Sequence, residues 1–245
     1  MPPGPLPPQS DKNYEQFRSE ESILFQTGEI KRQGLSEPEE RAIDAYFSDT
    51  EGQILDVGCG AGRVTSALEA RGYDVTGTDI SQPLLVQANS EHPDIEFVSS
   101  DVSDLPFDSD SYKYVIFAFN GLDYLSPVEL RREALQEIRR VLSPSGTFVF
   151  SSHNQWYALP ALLSDHGFVR DKYLRTKNGG RLFSPYKFER TSIGDLETYF
   201  TNPVRQRQEL SRVGFDLVSI IGKRSFPLCL VETSPYYVAR PSELT

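Results

Sequence analysis

Residues 54–62 read Ile54-Leu55-Asp56-Val57-Gly58-Cys59-Gly60-Ala61-Gly62. A short apolar run, as expected of a buried strand, ends in an acid, and glycines at alternate positions lead into an amphipathic stretch. Glycines let the backbone approach a ligand closely, and the start of a helix offers it free N–H groups. These nine residues therefore predict a strand, a tight turn and a helix that together bind a ligand.

The same alternation continues along the chain. Further strands are predicted at residues 74–79, 95–99, 114–119 and 147–151, separated by amphipathic stretches of helical length. Strands that alternate with helices indicate a parallel sheet with helices on both faces. Apolar runs at 215–221 and 228–238 predict two more strands. We therefore predict a doubly wound α/β fold of about seven strands, of which the last is antiparallel.

The two ends of this core differ from it in composition. Residues 1–12 contain five prolines, which predicts a flexible tail. Ser36 and Glu39 have the spacing of a capping box, which predicts the start of a helix. Residues 154–202 have scattered aromatics and no clean period, and they are too many for an ordinary connection. We predict one domain over residues 13–245, with its core at 50–153 and an irregular lid at 154–202.

Composition excludes several classes of protein. The chain has 245 residues, with 25 Lys and Arg against 35 Asp and Glu, and a net charge of −10 disfavours non-specific nucleic-acid binding. No apolar run has the ~18 residues of a membrane span. Two cysteines, Cys59 and Cys229, do not make a disulfide framework or a zinc site, and no cluster has metal-ligand spacing. Without a basic-then-apolar signal pattern, the expected location is cytoplasmic.

The third glycine of the turn distinguishes two kinds of site. A dinucleotide-binding fingerprint would place it at position 63, where this chain has Arg63, and the third glycine is Gly62. The pattern acid-x-Gly-x-Gly-x-Gly resembles instead the first motif of the class I S-adenosylmethionine-dependent methyltransferases, which have a Rossmann-like domain. The resemblance covers about residues 50–153 and includes, in order and spacing, Asp79, Asp101-Val102, 105–107 and 139–147.

This resemblance implies S-adenosyl-L-methionine as the cofactor. It implies that the glycine turn passes under the cofactor and that Asp56 lies close to the methionine amino end. Asp79 would accept both ribose hydroxyls, a bidentate task that suits a carboxylate. Asp101 would bind the adenine amino group, and Ile80 and Val102 would sandwich the adenine ring. Phe119 and Asn120 would line the methionine arm. The complete set of implied cofactor residues is Asp56, Gly58, Gly60, Gly62, Asp79, Ile80, Asp101, Val102, Phe119 and Asn120.

The residues after the fourth and fifth strands are the candidates for catalysis. Ligands of α/β sheets lie beyond the carboxyl ends of the strands. Residues 119–125 lack the two prolines found in enzymes that methylate adenine amino groups, so that substrate class is disfavoured. We predict Asp123, Tyr124 and His153 as catalytic residues, with His153 as the base, because imidazole titrates near neutrality. The alternative, that His153 only hydrogen-bonds a loop, stays open.

Residues 170–190 carry seven cationic side chains and two acidic ones, a net charge of +5 in an acidic chain. As a lid, this window would attract an anionic substrate, with Tyr173, Arg175 and Lys177 as contacts. The alternative is that these cations only pair with the acidic body.

The predicted function is methyl transfer to a small-molecule or glycan-type acceptor, more at oxygen than at nitrogen. A nicotinamide-dependent oxidoreductase and a non-catalytic cofactor-binding module are the alternatives, and the oligomeric state stays open.

Overall fold

A seven-stranded sheet is the centre of the fold. The computed structural model describes residues 11–26, 28, 34–48, 50–159, 185–191 and 194–242. Residues 1–10 of the predicted tail and the middle of the predicted lid, including Tyr173, Arg175 and Lys177, lie outside these ranges. The sheet contains β1 (Ile54–Val57), β2 (Val75–Asp79), β3 (Glu96–Ser99), β4 (Tyr112–Phe117), β5 (Leu142–Ser151), β8 (Phe215–Ile221) and β9 (Tyr236–Pro241).

The strand order confirms the predicted doubly wound class. It is β3-β2-β1-β4-β5-β9-β8, and the order reverses between β1 and β4. β1 to β5 are parallel to their neighbours, whereas β9, the last strand of the chain, pairs antiparallel with both β5 and β8. Clefts at the reversal of a doubly wound sheet are where such folds bind ligands.

Helices cover both faces of the sheet. They are α1 (Asp11–Phe17), α2 (Glu20–Phe25), α3 (Glu37–Tyr46), α4 (Arg63–Glu69), α5 (Gln82–Glu91), α6 (Val128–Val141) and α7 (Pro203–Arg212). The predicted capping box begins α3, where the Ser36 N–H donates to Glu39 Oε2 at 2.6 Å. α6 buries one face, formed by Leu130, Ala134, Ile138 and Val141. Its last turn carries two arginines, which suit a helix C-terminus.

Two apolar cores lie on opposite faces of the sheet. Ile54 packs in the core under α3 and α4, while its neighbour Leu55 packs in the core under α6. On β4, Val115 and Ile116 divide in the same way. Successive side chains of a strand point to opposite faces, so a strand covered on both sides must be apolar throughout. This explains why the central strands are continuous apolar runs rather than alternating ones.

The prediction of the last strand is wrong in its position. Residues Leu228–Val231 form a 3₁₀ turn, and the strand begins at Tyr236. The Asn154 side chain donates to the carbonyl oxygens of Leu230 and Glu232 at 2.8 and 2.9 Å, so these acceptors are used by a side chain instead of a ladder. In this turn Cys229 is buried, whereas Leu228 is exposed.

The predicted irregular insertion contains a regular hairpin. β6 (Tyr186–Thr191) and β7 (Gly194–Tyr199) pair antiparallel, with Tyr186 opposite Tyr199. Aromatic and charged residues alternate at positions 186–189, which is a period-two pattern typical of a strand, although Tyr186 and Lys187 are both buried. That alternation was available in the sequence. In the described residues, no helix is long and apolar enough to cross a bilayer.

Candidate functional site

The glycine turn after β1 has a backbone that only glycine adopts easily. Gly58, Gly60 and Gly62 have φ values of +64°, +57° and +82°. A Cβ at Gly58 would lie 2.6 Å from the Phe117 ring, and one at Gly60 would collide with the amide oxygen of Gln26. The three glycines are therefore required both by the backbone and by the close approach of neighbouring side chains.

A cavity of about 500 Å³ opens beyond the carboxyl ends of β1, β2 and β4. This volume lies within the roughly 300–1,000 Å³ of small-molecule sites. Its walls bring together nine of the residues predicted for the site: Asp56, Gly58, Asp79, Ile80, Val102, Phe119, Asn120, Tyr124 and His153. Gly60 and Gly62 shape the turn, and Cys59 and Ala61, on either side of Gly60, line the cavity.

Asp79 links the glycine turn to the start of α5. Its Oδ2 accepts the Gly60 N–H and its Oδ1 accepts the Ser81 N–H, both at 2.8 Å. Burial raises the pKa of Asp79, and these backbone N–H groups oppose that rise. The carboxylate is thus oriented by the backbone on two sides while its side chain lines the cavity.

Asp56 lies at the end of β1 and is almost completely buried. The Thr65 hydroxyl donates to its Oδ2 at 2.6 Å, which ties β1 to α4. Burial raises the pKa of Asp56 from 3.8 to about 7, against the opposing effects of the Thr65 hydrogen bond and the charge of Arg63. A carboxyl with such a pKa gains or loses its proton near neutral pH.

The Asp101 side chain forms hydrogen bonds within its own turn. Its Oδ1 accepts the N–H and the hydroxyl of Ser103 at 2.9 and 2.8 Å. The neighbours Ser100 and Val102 line the cavity. The Asp101 carboxylate therefore holds the loop that presents Val102.

His153 and Asp123 form a hydrogen-bonded pair at the far side of the cavity. Asp123 Oδ2 accepts both the backbone N–H of His153, at 2.6 Å, and its Nδ1–H, at 2.9 Å. An ionised carboxylate only accepts hydrogen bonds, so the tautomer that fits this pair carries its proton on Nδ1 and leaves Nε2 as an acceptor that faces the Asn120 amide. Nε2 lies 3.5 Å from Asn120 Nδ2 and 3.8 Å from Glu189 Oε2.

The three residues predicted to be catalytic occupy different positions. His153 and Tyr124 line the cavity, whereas the Asp123 side chain is fully buried behind His153. The Tyr124 ring lies between Phe17 and His153, with ring centroids 5.1 and 6.0 Å away. Burial raises the pKa of Tyr124 well above its usual value, so this hydroxyl stays protonated at neutral pH.

Part of the wall comes from α1 and α2, for which the sequence predicts no role in the site, and from the hairpin inside the predicted lid. Asn13 Nδ2 donates to the carbonyl oxygens of Tyr124 and Glu197 at 2.9 and 2.7 Å, and its Oδ1 accepts the Glu197 N–H at 2.9 Å. These bonds hold α1 against the hairpin. The further wall residues from these two segments are Phe17, Phe25, Gln26, Glu189, Arg190, Thr191 and Leu196. No local pattern marks Asn13, and Glu189 entered the sequence argument only as a charge.

Comparison with known proteins agrees with this architecture. A family model described as a methyltransferase domain matches residues 54–146. Demethylmenaquinone methyltransferase of Clavibacter sepedonicus is 36% identical over 100 residues, which are 40% of this chain and 39% of that protein. Malonyl-[acyl-carrier protein] O-methyltransferase of Salmonella typhimurium is 32% identical over 99 residues, 40% of this chain and 38% of that protein. The chain thus spans about two fifths of the length of these curated relatives.

A solved structure extends the likeness of the fold beyond that region. The Burkholderia thailandensis 1,6-didemethyltoxoflavin-N1-methyltransferase, with bound 1,6-didemethyltoxoflavin and S-adenosylhomocysteine, superposes with a TM-score of 0.65. It is 18% identical, and the match covers 98% of this chain and 93% of that one. At this identity the likeness establishes the fold.

Proposed function

We propose that this chain, which belongs to the class I S-adenosylmethionine-dependent methyltransferase family, binds S-adenosylmethionine and transfers its methyl group to a small-molecule or glycan-type acceptor. The observation that carries the proposal is the cavity at the sheet reversal, where the glycine turn and Asp79 meet Asn120 and His153. The curated relatives, both named as methyltransferases, support it.

Two features of the cavity fit this cofactor. Asn120 Oδ1 is buried without a hydrogen-bond partner at the cavity wall, so it can accept a bond from an amino group. The glycine turn borders the cavity directly, through Gly58, Cys59 and Ala61. In our proposal Asp79 accepts the ribose hydroxyls, Ile80 and Val102 flank the adenine, and Asp101 accepts its amino group. Asp56, Phe119 and Asn120 lie at the methionine end.

S-adenosylmethionine supplies a methyl group on a sulfonium, which is already activated towards a nucleophile. The chain must therefore orient the acceptor and, for a hydroxyl, remove its proton. We assign that proton to His153 Nε2, whose lone pair faces Asn120 and Glu189. The imidazolium that results is stabilised by Asp123 on the opposite nitrogen. Tyr124 packs against the ring of His153 and limits its rotation.

The finer proposal is an anionic acceptor methylated at oxygen. The basic window at residues 170–190 supports the anionic part, with Tyr173, Arg175 and Lys177 as proposed contacts. Arg190, from the same window, lines the cavity. Glu189 lies 3.8 Å from His153 Nε2 and would repel an anion, so we place the anionic group of the acceptor towards Arg190 and its hydroxyl towards His153.

Calorimetric titration with S-adenosylmethionine, S-adenosylhomocysteine and NADH tests the cofactor. We expect the first two to bind and Asp79→Asn to weaken both at least ~10-fold, since a charged hydrogen-bond acceptor is worth about 1.5–3 kcal/mol. Asp110→Asn is the matched control, because Asp110 is exposed in the turn before β4. Binding of NADH alone, or equal effects of the two variants, would refute the proposed cofactor site.

Transfer of a labelled methyl group to a panel of anionic phenols and sugar phosphates tests the chemistry. His153→Gln should reduce transfer by about 10²-fold and leave cofactor affinity unchanged, as expected for loss of a general base. His92→Gln, at the end of α5, should have no effect. Cofactor binding without transfer to any member of the panel would favour the non-catalytic binding module.

A further inference from the structure

A buried arginine stands behind the pair formed by Asp123 and His153. Arg131 of α6 is completely buried. Its Nη1 donates to Asp123 Oδ1 and to the Leu122 carbonyl oxygen, both at 2.8 Å, and its Nε donates to the Glu209 carboxylate at 3.0 and 3.1 Å. Its Nη2 donates to Gln206 at 3.2 Å. All three nitrogens of the guanidinium are thus engaged.

The Asp123 carboxylate is held from two opposite sides. Oδ1 accepts from Arg131 and from the Ser152 hydroxyl, each at 2.8 Å, while Oδ2 accepts the two N–H groups of His153. Each oxygen therefore has two donors, and the carboxylate cannot rotate without breaking bonds on both sides. Breaking a buried ion pair by removing one partner is costly, because it leaves an unpaired buried charge.

We infer that Arg131 is a positioning residue for His153: by holding Oδ1 of an ionised Asp123, it turns Oδ2 to Nδ1 and so keeps the lone pair of Nε2 on the cavity side. The inference deepens the proposed function, because it rests on His153 as the base. Arg131 touches neither the cavity nor the reacting atoms.

Charge and chemistry explain how the effect reaches His153. Burial alone would lower the pKa of Arg131, but the carboxylates of Glu209 and Asp123 outweigh it and raise the pKa, so the guanidinium remains charged. Without that donor on Oδ1, the Asp123 carboxyl group can turn, and Oδ2 no longer faces Nδ1. The ring proton can then move to Nε2. His153 would present a donor to the cavity and could not accept a proton there.

The tautomer of His153 is directly observable by ¹⁵N NMR of the imidazole rings. The chain has three histidines, so His153→Gln assigns the signal. We expect protonated Nδ1 and unprotonated Nε2 in the wild type. The informative variant is Arg131→Met with Glu209→Gln, which removes one charge of each sign and keeps the net charge of the buried group. In it we expect the proton to move to Nε2 in half or more of the molecules.

Two control variants distinguish the positioning of His153 by Arg131 from a general destabilisation of the fold. Arg132→Met changes the exposed neighbour on α6, and Glu209→Gln alone leaves the Arg131–Asp123 pair. Both should retain the wild-type tautomer. An unchanged tautomer in the double variant, or protonated Nε2 in the wild type, would overturn the inference.

Asp123→Asn gives a second test with an isosteric side chain, in case the double variant does not fold. Arg131 only donates, so it should take the amide oxygen and turn the amide NH₂ towards His153, which again moves the proton to Nε2. Retention of Nδ1–H in this variant would contradict the inference.

Cofactor titration of the same samples keeps this inference separate from the proposed function. If the wild type fails to bind S-adenosylmethionine while the tautomer shifts as described, the proposed function fails and the positioning role stands. If binding is intact in every variant and the tautomer does not move, the positioning role fails alone. With both intact, methyl transfer by the double variant should fall in proportion to the loss of the Nδ1–H tautomer, by about 2-fold or more at unchanged cofactor affinity, and complete loss of that tautomer should approach the ~10²-fold effect of losing a general base.

Discussion

Replacing Asp56 by asparagine should stabilise the protein at alkaline pH and have little effect at acidic pH. Burial raises the pKa of Asp56 from 3.8 to about 7 in the folded protein, while the unfolded chain ionises near ~3.9. Between these values the folded protein holds a proton that the unfolded chain has lost. Raising the pH through this window therefore lowers the free energy of unfolding.

The size of the effect follows from the two pKa values. They differ by about three, and one pKa unit corresponds to ~1.4 kcal/mol, so ionised Asp56 destabilises the wild type by about 4 kcal/mol at pH 8. About two of these three pKa units lie between pH 5 and the folded-state pKa of about 7. The amide introduced by the substitution would keep an oxygen for the Thr65 hydroxyl and carry no charge. The advantage of Asp56→Asn should therefore grow by about 3 kcal/mol between pH 5 and pH 8.

Urea unfolding of both proteins at pH 5 and pH 8 measures this advantage. Asp79, whose pKa burial also raises, is present in both proteins, so its direct contribution cancels in the difference. Asp74→Asn is the matched control, since Asp74 is exposed just before β2. If the advantage of Asp56→Asn is equal at the two pH values within ~0.5 kcal/mol, the argument from burial is refuted.

Four more substitutions test the site and the core. Gly60→Ala and its control Gly72→Ala should each lower the free energy of unfolding by about 1–2 kcal/mol, because both glycines have positive φ. Only Gly60→Ala displaces Gln26 from the cavity wall, so only this variant should bind S-adenosylmethionine at least ~10-fold more weakly in calorimetry. Asn13→Ala removes three hydrogen bonds, so it should lower the free energy of local unfolding of the N-terminal helices by about 1–3 kcal/mol and speed their cleavage by trypsin. An unchanged cleavage rate would contradict the role of Asn13. Leu68→Ala should lower the free energy of unfolding by about 2–5 kcal/mol, as Leu68 is completely buried, and a loss below ~1 kcal/mol would contradict its place in the core.

The sequence predicted what depends on neighbours along the chain. The apolar runs of the central strands, the glycine turn and the Ser36–Glu39 capping box are local patterns, and the structure has each of them in place. The apolar run at 228–231 wrongly predicted a strand for the same reason, because an apolar run of this length occurs in strands and in 3₁₀ turns alike.

Contacts between distant residues could not be predicted in this way. Asn13 meets Glu197 across 184 positions, and Arg131 meets Glu209 across 78. An isolated asparagine or arginine carries no sign of such a partner in a single sequence. His153 and Asp123 were both candidates by their place after a strand, but the hydrogen bond between them required the fold.

The cavity wall has two origins, and this affects how the protein can change. Its cofactor end is formed by residues 56–80 and 100–121, inside the region that the family model matches. Its other end is formed by α1 and the hairpin, outside that region, and Asn13 joins these two segments. Under the proposed function, substitutions in α1 and the hairpin would alter acceptor choice while the sheet and the glycine turn are retained. A new acceptor would then be accessible through mutations at one end of the cavity that leave the residues of the other end unchanged.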